Sequence, residues 1–135
     1  MDLPTLAALA DRLIPPDDLP GAVEAGALTY LLAQFERDLA DMVPIYQQGL
    51  QSLVAEAIQA TGRPFTELST AEQDALLTRV SQGAVHVEWP IDPVAFVAMA
   101  AEHIAEGFYS DPGNRGNRAM IAWQMVGFQV SDYQP

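Results

Sequence analysis

The sequence predicts an all-α fold, an irregular bundle of about five helices with a C-terminal loop segment rich in Gly, Asn and Pro. Apolar residues recur at three- and four-residue steps along most of the chain, and no stretch shows a sustained period-two alternation. Prolines and glycines interrupt this pattern where helices are expected to end. A chain of 135 residues suits one hydrophobic core, so we predict a single domain over residues 1–135.

The first two helices are predicted on either side of a turn-rich connection at 15–21, because its prolines stop a helix. Helix one is predicted over about 4–14, and its apolar stripe is Leu6, Leu9 and Leu13. Helix two is predicted over about 22–41, and its apolar stripe is Leu28, Leu31, Phe35, Leu39 and Met42.

Turn and cap residues delimit the next two helices. Pro44 suits the first turn of helix three, and Gly62 suits its left-handed C-terminal end. The predicted buried stripe of helix three is Tyr46, Leu50, Leu53, Ala57 and Ile58. Its predicted polar face is Gln47, Gln48, Gln51, Glu56 and Gln59. Ser69 and Glu72 have capping-box spacing at the start of helix four, which Gly83 closes.

Helix five is predicted to follow Asp92, a good N-cap residue, and to begin at Pro93. Its apolar stripe is Val97, Ala101, Ile104 and Phe108. The helix is predicted to end near Tyr109, where the loop segment begins. The pattern beyond it allows one short helical turn at 118–124.

The charge balance excludes several partners. The net charge is −12, from 18 acidic residues against six arginines and no lysine, so we predict no nucleic acid partner. No apolar run approaches the ~20 residues that span a bilayer, which predicts no direct membrane insertion. Met1 to Ile14 lack a basic leader. This favours the cytoplasm for the chain as given, or the periplasm if a leader was removed or the partner directs export.

Few side chains suit catalysis. Of the two histidines, His103 is interpreted as a side chain at the edge of the packed face of helix five. His86 and Glu88 have His-x-Glu spacing, but no further metal ligands follow from the pattern. Asp38 and Asp41 are expected on one face of helix two, where solvated surface explains them best. We therefore predict no catalytic, cofactor-binding or metal-binding residue in this chain.

The segment from Gly107 to Trp123 is the best candidate for a binding surface, and it reads GFYSDPGNRGNRAMIAW. Aromatic side chains and arginines next to a loop are typical of interface hot spots. The predicted partner-contacting residues are Tyr109, Ser110, Asp111, Pro112, Asn114, Arg115, Asn117, Arg118 and Trp123. A purely structural interpretation is equally open, in which Asp111 to Gly113 form a turn and the aromatic residues cover the end of the bundle.

This segment and the opening LAALADRLIPPDDLPGAVEAGAL resemble the gluconate 2-dehydrogenase subunit 3 family. The likeness spans nearly the whole chain. Its other matching positions are Tyr46, Gly49, Leu50, Phe65, Leu68, Ser69, Gly116 and Asn117. The chain departs from the family pattern at three positions, with Asn114 in place of Tyr, and Arg115 and Ala122 in place of Gly.

The resemblance implies a helical small subunit without a cofactor of its own. Its partner would be a FAD-containing catalytic subunit of the glucose-methanol-choline oxidoreductases, in a hetero-oligomer that oxidises sugars, glycosides or polyols. The chain would bind, stabilise and help to mature that subunit. Two other classes stay open. One is an independent ligand-binding domain or enzyme with a pocket presenting His103, Tyr46 or Tyr109, and the other is an adaptor for an unrelated partner.

Overall fold

The computed structural model describes residues 1–15, 21, 23 and 26–109, and within them it contains five α-helices and no β-strand. The predicted all-α fold is confirmed. The helices are α1 (Leu3–Leu13), α2 (Ala27–Phe35), α3 (Val43–Thr61), α4 (Thr70–Ser81) and α5 (Pro93–Tyr109). Short 3₁₀ turns at Ala40–Met42 and Phe65–Glu67 precede α3 and α4. The helical turn considered at 118–124 lies outside the described residues.

The predicted capping box at the start of α4 is confirmed. The Glu72 backbone N–H donates to the Ser69 hydroxyl at 3.1 Å, and the Ser69 backbone N–H donates to Glu72 Oε1 at 2.9 Å. Arg63 also donates to the Glu72 carboxylate at 2.9 Å. The Ser69 backbone hydrogen bond lowers the pKa of Glu72 more than the arginine does. Two backbone N–H groups at the N-terminal end of α4 therefore have acceptors within the capping box.

Helix α2 is shorter than the 22–41 that the periodicity predicts. Gly26 has a φ of 93°, so no helix can run through it, and α2 begins one residue later. The other end is set by packing, because the rings of Phe35 and Tyr46 lie 4.9 Å apart. A helix continued to residue 41, as predicted, would carry the chain about 9 Å beyond Phe35, at ~1.5 Å per residue, before it could turn back. The chain turns after Phe35 instead.

The assignment of faces on α3 is correct for most residues and wrong for two. Ile58, predicted as buried, is 49% exposed, and Glu56, predicted on the polar face, is 0% exposed. At about 100° per residue, Ile58 lies roughly 140° around the helix from the buried Leu53, whereas Glu56 lies only about 60° from it. The predicted left-handed residue at the end of α3 is confirmed, since Gly62 has a φ of 80°.

Helix α5 lies at the centre of the bundle and contacts each of the other four helices. Its fully or almost fully buried apolar residues are Phe96, Val97, Ala100, Ile104, Ala105 and Phe108. Glycines allow two of the contacts, because Gly49 of α3 lies against the ring of Phe96 and Gly107 lies against α2. A Cβ at Gly107 would meet the Ala27 carbonyl oxygen at 2.9 Å. The close packing of α5 against α3 and α2 therefore depends on these two glycines.

Substitution Gly49→Ala tests this packing. The added methyl group would overlap with the ring of Phe96 and force α3 and α5 apart. We expect a loss of about 1–3 kcal/mol in the free energy of unfolding, measured by urea denaturation. The control Gln51→Ala removes an exposed side chain from the same helix and should stay within about 0.5 kcal/mol of wild type. Equal midpoints for Gly49→Ala and wild type would contradict the packing described here.

Candidate functional site

Most of the predicted partner-contacting residues lie outside the part of the chain that the structure describes. Tyr109 is the last residue of α5. The other eight predicted contacts lie beyond the described residues, and so do all three departures from the family pattern. Their interface role stays a prediction from the sequence. What the structure does place is the end of α5, which precedes this segment in the chain.

A buried carboxylate organises the connection between α4 and α5. Oε1 of Glu56 accepts hydrogen bonds from the backbone N–H groups of His86 and Val87, both at 2.8 Å. It also accepts one from the indole N–H of Trp89 at 3.2 Å. Three donors from one connection thus converge on a single oxygen of α3. The other oxygen, Oε2, is buried and has no hydrogen-bond donor in the part of the chain that the structure describes.

Burying the Glu56 carboxylate away from water costs free energy, and its hydrogen bonds indicate what it contributes to the fold. Buried carboxylates need several donors to replace water, and a connection without regular structure has free backbone N–H groups to offer. Glu56 therefore fixes the path of the chain into α5. Trp89 is held beside Phe96, with ring centroids 6.1 Å apart. This role of Glu56 was not predicted from the sequence, in which the only signal for it is the position of Glu56 within the apolar arc of α3.

Both the backbone and the side chain of His86 contact other residues of the fold. Its backbone N–H binds Glu56, and its Nε2 lies 3.2 Å from Nη1 of Arg79, a distance that suits a hydrogen bond donated by the guanidinium. Among the described residues, no group of three or more His, Asp or Glu side chains is placed to hold a metal ion. The His86 and Glu88 spacing therefore gains no further ligand from the described helices.

His103 lies where the sequence predicts, at the edge of the packed face of α5. It is partly buried, and its Nδ1 lies 2.9 Å from the hydroxyl of Tyr46 on α3. Burial, and secondarily the charge of Glu106, raise the pKa of Tyr46, so its hydroxyl keeps its proton at neutral pH. A protonated phenol can donate this bond to Nδ1. The two side chains then link α3 to α5.

A pocket that presents Tyr46 and His103 would have to lie between α2, α3 and α5. Aromatic rings fill this space. Tyr46 is 0% exposed and packs edge-on against Phe35 and Phe96. Solvent does not reach its hydroxyl, and a ligand would have to displace packed core residues to do so. Tyr46 and His103 are thus brought together as the pocket hypothesis requires, but the Tyr46 ring lies in the core and His103 at its edge.

Asp38 and Asp41 do not share a helix face, contrary to the expectation. Asp38 lies in the turn after α2, and Asp41 lies in the following 3₁₀ turn, because α2 ends at Phe35. Both side chains are exposed. The interpretation as solvated surface agrees with this exposure.

Comparison with known families gives one match. The sequence model of a family described as Gluconate 2-dehydrogenase subunit 3 matches residues 2–129. No curated protein and no solved structure matches the chain. None of the described helices is long and apolar enough to cross a membrane.

The described residues that carry the family likeness lie mostly in the core. Tyr46, Leu50 and Phe65 are each 0% exposed, and Leu68 is 7% exposed. Gly49 allows the contact with α5, and Ser69 forms the capping box. The family pattern within α1–α5 therefore describes the scaffold.

Replacing Glu56 tests its role in the connection. Glu56→Leu leaves three donors without an acceptor, and we expect a loss of about 2–4 kcal/mol in the free energy of unfolding, measured by urea denaturation. Glu56→Gln keeps an acceptor oxygen and should lose less. Faster amide hydrogen exchange at His86 and Val87 should accompany the Leu variant. The exposed Glu88→Gln serves as the matched control. Unchanged exchange at His86 and Val87 in Glu56→Leu would refute the role assigned to this carboxylate.

Proposed function

Because the chain belongs to the gluconate 2-dehydrogenase subunit 3 family, we propose that it is a non-catalytic small subunit that binds, stabilises and helps to mature a FAD-dependent catalytic subunit. The family match over residues 2–129 is the observation that carries this proposal. The partner is proposed to be a glucose-methanol-choline oxidoreductase acting on sugars, glycosides or polyols. FAD belongs to that partner, and this chain supplies structure.

The environments of the titratable side chains support a non-catalytic role. Glu56 is used to fix the connection before α5, and the hydroxyl of Tyr46 is used in the link to His103. His86 lies beside Arg79 and is anchored through its backbone. Each of these groups has a place in holding helices together, and none needs a substrate to account for it.

The segment that follows α5 is proposed as the main contact with the catalytic subunit. Two of the six arginines, Arg115 and Arg118, lie in it close to Trp123 in the sequence. Arginine and tryptophan are enriched in interface hot spots, because a large contact area is combined with directed hydrogen bonds. The central position of α5 supports this role, since the segment leaves from the helix that the other four hold in place.

Affinity capture from the native host tests the proposed function. The tagged chain is recovered from extract, and whatever co-purifies is identified by mass spectrometry and by its flavin absorbance. We expect a FAD-bearing dehydrogenase in near-equal amount. The double variant Arg115→Ala with Arg118→Ala should retain much less of it, because both proposed contacts are lost. Arg37→Ala, an exposed arginine in the turn after α2, is the control.

Recovery of the wild-type chain alone, folded and without flavin, would count against an accessory subunit. Equal capture by the wild type and the double arginine variant would keep the function but remove the segment after α5 from the interface.

A further inference from the structure

An apolar groove of about 310 Å³ lies between the C-terminal end of α3 and one face of α4. Its apolar lining consists of Ala60, Leu68, Ala75 and Leu76. Glu72 and Arg79 of α4 also line it, and a helix separates these two positions by about 10 Å, at ~1.5 Å per residue. A mainly apolar lining with a few charged groups, and a volume within ~300–1,000 Å³, are typical of small-molecule sites.

The negative charge at one end of the groove is already compensated. Nη2 of Arg63 donates to both oxygens of the Glu72 carboxylate, at 2.9 and 3.2 Å. The Ser69 backbone N–H donates to Oε1 of the same carboxylate at 2.9 Å. Neither of these donors belongs to the residues that line the groove. Glu72 and Arg63 therefore form a neutral pair, and this end of the groove has little net charge to offer a ligand.

The positive charge at the other end has no acidic partner among the described residues. Two ion pairs occur there, and neither includes Arg79. The residues three and four positions from Arg79 along the chain carry no charge, although the chain has 18 acidic residues. The guanidinium of Arg79 is partly buried, and its Nη1 donates to Nε2 of His86 at 3.2 Å. Because a guanidinium has five N–H donors, Arg79 keeps donors for an anion.

We propose that the groove binds a small organic carboxylate with an apolar body. The carboxylate accepts hydrogen bonds from Arg79, and the apolar body covers Ala75 and Leu76. The planar guanidinium suits this anion, because it can bind both carboxylate oxygens with two parallel N–H groups. A more highly charged anion such as a phosphate would lose more hydration beside the apolar lining. The site belongs to this chain alone, so the inference does not depend on the proposed accessory function.

Titration of the full chain with hexanoate, followed by amide NMR, tests the chemistry of the site. Hexanamide is the neutral counterpart with the same apolar body. We expect hexanoate to shift the amide signals of residues 60–61 and 72–79, and hexanamide to bind about tenfold more weakly or less, because it lacks the charge that Arg79 pairs with. Equal binding of hexanoate and hexanamide would overturn the carboxylate site.

Two variants on α4 test where hexanoate binds. Arg79→Gln removes the cation, and Ala75→Leu fills the apolar part of the groove while Arg79 stays in place. We expect each to weaken hexanoate binding by about tenfold or more. The matched controls, Arg37→Gln and Ala71→Leu, make the same changes at exposed positions outside the groove and should bind as wild type does. Urea denaturation of each variant checks that it is folded.

A peptide probe separates a free organic acid from the end of a protein chain. Acetyl-Leu-Leu with a free C-terminal carboxylate offers the same charge next to apolar side chains. Tighter binding of this peptide than of hexanoate would overturn the small-molecule site and assign the groove to a C-terminal carboxylate of a protein. Hexanoate shifts that persist unchanged in both Arg79→Gln and Ala75→Leu would show that the acid binds elsewhere, and absent shifts in wild type would remove the site altogether.

Discussion

The packing of α5 against all four other helices is the constraint on which the rest of the structure depends. Gly49 lets the ring of Phe96 approach α3, and Gly107 lets the end of the helix approach α2. Polar groups reinforce this arrangement at two points, since Glu56 fixes the chain before α5 and Tyr46 links α3 to His103. The buried apolar side chains of this helix supply part of the driving force for folding. The same packing also holds in place the helix end that leads to the proposed interface.

Local features of the fold are predictable from the sequence, and features set by distant contacts are not. The capping box at Ser69 and Glu72 and the left-handed Gly62 depend on neighbouring residues, and both occur as predicted. The end of α2 depends on the contact between Phe35 and Tyr46, which periodicity does not reveal. The burial of Glu56 depends on donors about 30 residues away in the chain. Residue type alone favours the surface for a glutamate, and only the tertiary contacts reverse that preference.

The functional features also differ in how far the sequence predicts them. The family is identifiable from the sequence, because its pattern includes core and cap positions spread along the chain. The interface after α5 is proposed from the composition of residues 107–123 and from the family resemblance, and it lies almost entirely outside the described residues. The pairing of Arg12 with Asp74 has no such signal in the sequence, since the two residues are separated by 62 positions and meet only in the folded chain. A single sequence therefore indicates what kind of protein this is, and the structure adds how its helices are held together.

Hydrogen exchange of the chain, alone and bound to its catalytic subunit, tests the central claim that the helical scaffold is folded before it binds its partner. In the free chain, amides of α3 and α5 around Tyr46 and Ile104 should already be strongly protected, because both residues are 0% exposed. Binding should add protection after residue 109 and change the core little. Weak protection of α3 and α5 in the free chain, followed by a large gain on binding, would contradict the account by showing that the partner creates the fold.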